Sequence, residues 1–106
     1  MKGARFMKPG FDRIPDTDMY KAILTIKDEE ECRRFFEDLC SPRELSSMEQ
    51  RYEVARLLMQ DNVYTKILEI TGASSATISR VRRNILDENG AGALKAIVER
   101  RGAEEE

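Results

Sequence analysis

Basic and hydroxylated side chains cluster between residues 74 and 83, in a stretch whose apolar spacing predicts a helix. Ile78, Val81 and Ile85 recur at i, i+3 and i+7 and would form its inner face. Guanidinium groups bind phosphate oxygens, and small or hydroxylated side chains can approach base edges closely. This chemistry predicts contact with nucleic acid. The outward residues are Ala76, Ser79, Arg80 and Arg83, with Thr77 and Arg82 on the flanks.

The segment before that helix completes a helix-turn-helix pattern. A short predicted helix precedes Gly72, which suits a sharp turn because glycine tolerates positive φ. Ser74 or Ser75 can cap the second helix by accepting a hydrogen bond from an otherwise unpaired backbone N–H. Two helices joined by a short turn with glycine form a common DNA-binding unit. We therefore predict a helix-turn-helix at residues 63–86, with a recognition helix at about 75–86 in the major groove.

Charge distinguishes this stretch from an ordinary solvent-facing surface. From Asn62 to Leu86, four basic residues stand against Glu69 alone, which gives a net charge of +3 in a chain whose total is −2. The remainder must therefore carry −5. A solvated surface would mix Glu with Lys, so a local basic excess favours contact with phosphates. The residues also permit a second interpretation, in which the two helices are only packed parts of an all-helical domain.

The remaining composition limits the other classes of function. A chain of 106 residues is one domain, and no apolar run approaches the ~18 residues that span a membrane. The N-terminus lacks the apolar core of a signal peptide, so we predict a cytoplasmic protein. There is no histidine, and Cys32 and Cys40 on one helix would lie ~12 Å apart, too far for a disulfide. We predict buried thiols and no catalytic residue, metal or cofactor.

Helix-start signals divide the chain into six helices without a strand. Residues 1–14 are predicted to be a flexible basic arm, residues 15–101 the helical domain and residues 102–106 an acidic tail. The first two helices carry enough apolar side chains to pair with a second chain. The predicted helix starts are Asp16, Asp28 with Glu31 at N3, Ser41 with Pro42 at N1 and Glu44 at N3, Asp61 or Asn62, Ser74 or Ser75, and Gly92, the last helix ending at Arg101.

Three blocks of sequence together resemble the Trp repressor superfamily, and especially its Trp-repressor-like YerC/YecD branch in Gram-positive bacteria. These blocks are FFEDLC, RYEVARLL and TGASSATISRVRR, and the resemblance covers roughly Tyr20 to Ile85. It implies an all-α, six-helix fold and an intertwined homodimer whose N-terminal helices wrap the partner. It also implies a sequence-specific transcriptional regulator, a repressor rather than an activator, associated with the bacterial nucleoid when bound to double-stranded DNA.

The resemblance assigns roles to individual residues. In the family, bases are approached from the start of the recognition helix, and the positions of Thr65 and Lys66 lie near the DNA backbone. A protein-interaction module without sequence-specific DNA binding is the alternative function for the same scaffold; an enzyme is not expected. The predicted DNA-binding residues are Thr65, Lys66, Ser75, Ala76, Thr77, Ser79, Arg80, Arg82 and Arg83.

The tryptophan pocket of the family is matched only in part. The resemblance places Ser41, Arg51 and Arg80 at positions that surround the ligand's ring and carboxylate. Val81, however, stands at a glycine beside the indole, and Asn84 stands at a serine that contacts the ligand's amino group. Because valine adds three carbons to a space that must admit a ring, we expect Val81 to pack the two helices together. Tryptophan is therefore not expected as a co-repressor, the effector stays unassigned, and Arg80 would serve phosphate instead.

Overall fold

The computed structural model describes residues 13–86 and 92–105, and these residues form six α-helices without a strand. The predicted all-α class is confirmed. The predicted basic arm lies outside the described residues except for Arg13 and Ile14. Within the described residues, no helix is long and apolar enough to cross a membrane. The helices are α1 Met19–Ile23, α2 Glu29–Leu39, α3 Pro42–Met59, α4 Tyr64–Thr71, α5 Ser75–Leu86 and α6 Ala93–Glu105.

The chain divides into two compact units, and the first of them ends at Phe36. Its helix α1 begins later than predicted, because Asp16 has a φ of 62°, which a right-handed helix cannot include. At the start of α2 the predicted cap is present, since Asp28 Oδ1 accepts from the Glu31 backbone N–H at 2.8 Å. The rings of Phe35 and Phe36 pack edge to face, 5.3 Å apart. Neither α1 nor α2 contains a buried residue.

The second unit begins at Glu37 and is built around α3, which packs against α4, α5 and α6. Its core draws on all four helices and on the turn between α4 and α5, so every helix of the unit contributes to one apolar interior. The expectation of buried thiols is wrong, because both cysteines are partly exposed and both are free. The buried residues are Val54, Ala55, Leu57, Ile67, Ala73, Ile78, Val81, Ile85 and Val98.

The start of α3 contains the predicted capping box. Ser41 Oγ accepts from the Glu44 backbone N–H at 3.2 Å, and Glu44 Oε1 accepts from the Ser41 backbone N–H at 2.8 Å. These bonds, first from the Ser41 backbone and then from its side chain, lower the pKa of Glu44. Pro42 occupies the first turn, where a missing N–H costs no hydrogen bond.

Two predicted helix ends are wrong. Neither Asp61 nor Asn62 caps α4; Val63 occupies that position, and the Asn62 amide instead donates to the Leu57 carbonyl at the end of α3. The last helix also continues to Glu105, past the predicted end at Arg101 and through most of the predicted acidic tail. An ion pair of 3.2 Å between Arg101 and Glu104, one turn apart, supports this extension.

Candidate nucleic-acid interface

The turn between α4 and α5 is fixed by backbone and side-chain bonds together. Gly72 adopts a left-handed φ of 69°, as its place in the sequence predicts, and its N–H donates to the Leu68 carbonyl at 2.8 Å. Thr71 Oγ1 donates to the Ile67 carbonyl at 2.7 Å and accepts from the Ala73 N–H at 3.1 Å. These bonds stabilise the turn in the conformation that brings α5 against α4.

A side chain from α3 holds the same turn from outside. Gln50 Nε2 donates to the Thr71 carbonyl at 3.1 Å, in a partly buried position. This amide links the central helix of the unit to the first helix of the pair. The sequence does not predict this bond, because Gln50 and Thr71 become neighbours only when α3 packs against α4.

Ser74, rather than Ser75, caps α5. Its Oγ accepts from the Thr77 backbone N–H at 3.1 Å, and the hydroxyl oxygens of Ser74 and Thr77 are also 3.1 Å apart. Ser75 is the first residue of the helix and its side chain is exposed. The sequence allows either serine to be the cap, and the hydrogen-bond geometry identifies Ser74.

The predicted inner face of α5 is buried, and its outer face is exposed. Ile78 and Val81 are each 2% exposed, and Ile85 completes the apolar stripe. Because this stripe fixes the rotation of the helix, the opposite side must face solvent. Thr77 is half-buried on the flank. The other predicted DNA-binding residues are all exposed, namely Thr65 and Lys66 on α4 and Ser75, Ala76, Ser79, Arg80, Arg82 and Arg83 on α5.

None of the basic side chains in this pair of helices is neutralised by a carboxylate of the described residues. Ion pairs elsewhere in the described chain engage arginines of α2, α3 and α6. On α5, Arg82 and Arg83 instead line an open depression of about 550 Å³ with Ser79, Asn84 and Leu86. Because these side chains are exposed and have no carboxylate partner among the described residues, they can bind an extended anionic ligand such as a phosphate backbone. The unpaired basic residues are Lys66, Arg80, Arg82 and Arg83.

The residues matched to the tryptophan pocket do not line one cavity among the described residues of the chain. Ser41 and Arg51 line a depression of about 510 Å³ at the start of α3, where the Ser41 hydroxyl already serves the cap. Asn84 lines the separate depression on α5. Val81 lies in the core, as one of the cluster of buried residues. Arg80 is exposed and lines neither depression.

A larger groove, of about 930 Å³, lies between α3 and α6 and contains none of the predicted site residues. Its walls include Tyr52, Met59 and Val98, together with the ion pair between Glu53 and Arg56. The mixture of apolar and balanced charged side chains gives it no excess positive charge. It is therefore not part of the basic surface.

Comparison with known proteins places these features in a family context. The sequence pattern of the Trp repressor protein family matches residues 17–101. The uncharacterized protein YerC of Bacillus subtilis strain 168 is 57% identical over 65 residues, which cover 61% of this chain and 62% of YerC.

Two solved structures are also similar. A TrpR-like protein from Eubacterium eligens ATCC 27750 aligns with a TM-score of 0.73 and 44% identity, over 80% of this chain and 86% of that one. A protein from Staphylococcus aureus named for the Trp repressor aligns with a TM-score of 0.73 and 41% identity, over 80% and 83% of the two chains.

Proposed function

The chain belongs to the Trp repressor family, and from that membership and the geometry of α4 and α5 we propose that it is a sequence-specific DNA-binding transcriptional regulator. Members of the family are regulators rather than enzymes. The recognition helix α5 would enter the major groove with its N-terminal residues towards the base edges, and repression is the favoured outcome. A protein with this function would act at the bacterial nucleoid.

One observation carries the proposal: the outer face of α5 is exposed, basic and unpaired, while its inner face is fixed in the core. Arg80, Arg82 and Arg83 find no carboxylate among the described residues, although the chain contains 20 acidic residues. Guanidinium groups held in this way can release counterions from DNA when they bind phosphates. The small side chains of Ala76 and Ser79 lie between them and would allow the helix to approach base edges.

We propose in addition that the regulator acts as a homodimer. Helices α1 and α2 bury no side chain within the described chain, and large apolar residues such as Tyr20, Leu24 and Leu39 are exposed. A second copy of the same helices supplies an apolar partner of matching character. Two recognition helices related by a two-fold axis would then reach successive major grooves about 34 Å apart.

Tryptophan is not needed for this activity in our proposal. Val81 is 2% exposed in the core, so its side chain fills space that an indole would need. Arg80 is exposed beside the other arginines of α5 and would contact phosphate. No effector is assigned.

A selection experiment tests the proposed function. The purified protein is incubated with sheared genomic DNA at physiological salt, with and without tryptophan, and the retained fragments are sequenced. We expect a two-fold symmetric motif with half-sites one helical turn apart, recovered equally under both conditions. Enrichment only with tryptophan would overturn the role given to Val81. Retention without a motif would reject sequence-specific binding and leave a protein-interaction module as the function of this scaffold.

Sedimentation of the same protein tests the assembly. A homodimer gives twice the mass of the 12.2 kDa chain at micromolar concentration, and its unfolding midpoint should rise with protein concentration. A chain that sediments as a monomer at every concentration, while still selecting a motif, would separate DNA binding from the proposed dimer.

A further inference from the structure

Ser74 and Thr77 form a hydrogen-bonded pair at the start of the recognition helix. The Ser74 hydroxyl oxygen accepts from the Thr77 backbone N–H, and the two hydroxyl oxygens lie within hydrogen-bond distance at 3.1 Å. Two bonds therefore fix the position of Ser74 relative to Thr77. Ser74 is exposed and Thr77 is half-buried, so the pair lies at the edge of the surface that we propose to face DNA.

A count of hydroxyl protons shows what the pair has left to offer. Each side chain carries one O–H, and a hydrogen bond between the two oxygens uses one of them. Whichever hydroxyl donates within the pair, the other keeps its proton for an outside acceptor. The pair is thus a single donor whose position is set by the helix start, rather than two freely rotating hydroxyls.

The start of α3 shows how a different residue at the same position would behave. There Glu44 stands at the third position, and its carboxylate accepts from the Ser41 backbone N–H. A carboxylate in that place has no proton to donate, and on α5 it would repel DNA phosphates. With Thr77 at the third position, α5 keeps its cap, adds no negative charge and retains a donor.

We propose that Ser74 is a positioning residue for sequence recognition: through Thr77 it presents one hydrogen-bond donor to an acceptor on a base edge in the major groove. This inference rests on the proposed function. In the major groove, guanine offers N7 and O6, adenine N7 and thymine O4, whereas cytosine offers the N4 amino donor. The contacted base is therefore guanine, adenine or thymine, and at a pair that contains cytosine the contact goes to the partner guanine.

Five variants and the wild type test the assignment by selection from random DNA and by titration of the selected site. Ser74→Gly removes the hydroxyl, and glycine is itself a common helix cap, so the helix is little disturbed. Thr77→Val removes the second hydroxyl and keeps the shape. We expect each to reduce discrimination at the same base pair by about 3- to 10-fold, the value of one hydrogen bond.

The double variant and a conservative variant give the assignment its specificity. Ser74→Gly combined with Thr77→Val should discriminate no worse than either alone, because each single change already disables the pair. Ser74→Thr keeps a hydroxyl at the cap and should retain the wild-type preference. Asp28→Gly, which removes the cap of α2 instead, measures the effect of losing a cap away from α5 and should leave the preference unchanged at every position.

The outcomes separate this assignment from the proposed function. A uniform loss of affinity for all sequences in Ser74→Gly, or additive losses in the double variant, would reduce Ser74 to a structural cap and overturn the assignment alone. A wild-type protein that selects no motif would overturn the proposed function and this assignment together.

Discussion

Helices α2 and α5 both carry exposed arginines, but among the described residues only those of α2 form ion pairs. On α2, Arg33 pairs with Glu29 at 2.9 Å, and Arg34 pairs with Glu30 at 2.6 Å, each one turn away. On α5 none of the three arginines contacts a carboxylate of the described residues. Exposed pairs of this kind contribute only about 0.3–0.5 kcal/mol each. An arginine-rich face therefore indicates a ligand-binding surface only when its arginines have no carboxylate partner. Among the described residues, the arginines of α5 have none.

The two helices differ equally on their apolar side. Helix α5 buries Ile78, Val81 and Ile85 within the chain, whereas α2 buries no residue at all. The apolar face of α5 is thus complete in one copy of the chain, and its outer face is left for a ligand. Among the described residues the apolar side chains of α2 are at most half-buried, and in our proposal a second copy of the chain covers them.

The largest expected effect concerns the inner face of α5. Ile78→Ala removes a side chain that is 2% exposed and should lower the free energy of unfolding by about 2–5 kcal/mol, through lost burial and the cavity left behind. Chemical denaturation measures the change. Leu39→Ala, at a residue of α2 that is 53% exposed in the chain, is the control, and in protein diluted to the monomer it should cost less than Ile78→Ala. Equal losses of unfolding free energy in the two variants would contradict the difference in burial between Ile78 and Leu39.

Charge reversal on α5 should have the next largest effect. Arg82→Glu combined with Arg83→Glu removes two proposed phosphate contacts and should weaken DNA binding at least about 100-fold, since each charged hydrogen bond contributes about 1.5–3 kcal/mol. Fluorescence anisotropy with a labelled duplex measures the affinity. The same reversal at Arg33 and Arg34 of α2 is the matched control and should change it little. Similar losses in both double variants would show that only overall charge matters.

A smaller and more specific effect is expected from single neutral substitutions. Arg83→Ala or Lys66→Ala should each reduce the slope of log affinity against log salt by about one unit, because one counterion fewer is released per lost phosphate contact. The loss should be equal for all DNA sequences. Arg33→Ala, whose wild-type partner is Glu29, serves as the comparison. A slope unchanged in Arg83→Ala would mean that this side chain does not reach the backbone.

The smallest expected effect separates the starts of α3 and α5. The Ser41 hydrogen bonds lower the pKa of Glu44 in the folded chain, so its contribution to stability is present above the pKa of the unfolded chain and is lost as the pH falls through the lowered pKa of the folded chain. Glu44→Gln should therefore reduce the acid sensitivity of the thermal midpoint. Thr77→Val should leave it unchanged, because α5 has no carboxylate in its first turn. Parallel curves of thermal midpoint against pH for the wild type and Glu44→Gln would contradict the role given to the Glu44 carboxylate.

Local spacing was enough to predict the helix-turn-helix, the buried face of α5, the Asp28 cap of α2 and the capping box of α3, because each depends on residues within one or two turns. At α2 the predicted capping box is incomplete, since the Glu31 carboxylate accepts from the Lys27 N–H instead of the Asp28 N–H. What the sequence missed depends on distant partners. Gln50 reaches the turn at Thr71 only after α3 and α4 have packed. Asn62 is of a residue type that often caps helices, but its side-chain amide donates instead to a carbonyl at the end of α3. Cys32 was expected in the core, yet α2 packs none of its residues deeply enough to bury it.

The central claim is that the exposed face of α5 recognises a particular DNA sequence. The most direct test is to titrate the protein, at one physiological salt concentration, with its selected duplex and with a duplex of the same length and composition in shuffled order. We predict at least about 1,000-fold tighter binding to the selected duplex, the range typical of specific recognition. Equal affinities for the two duplexes would contradict the claim, because binding would then reflect only the charge of Arg80, Arg82, Arg83 and Lys66.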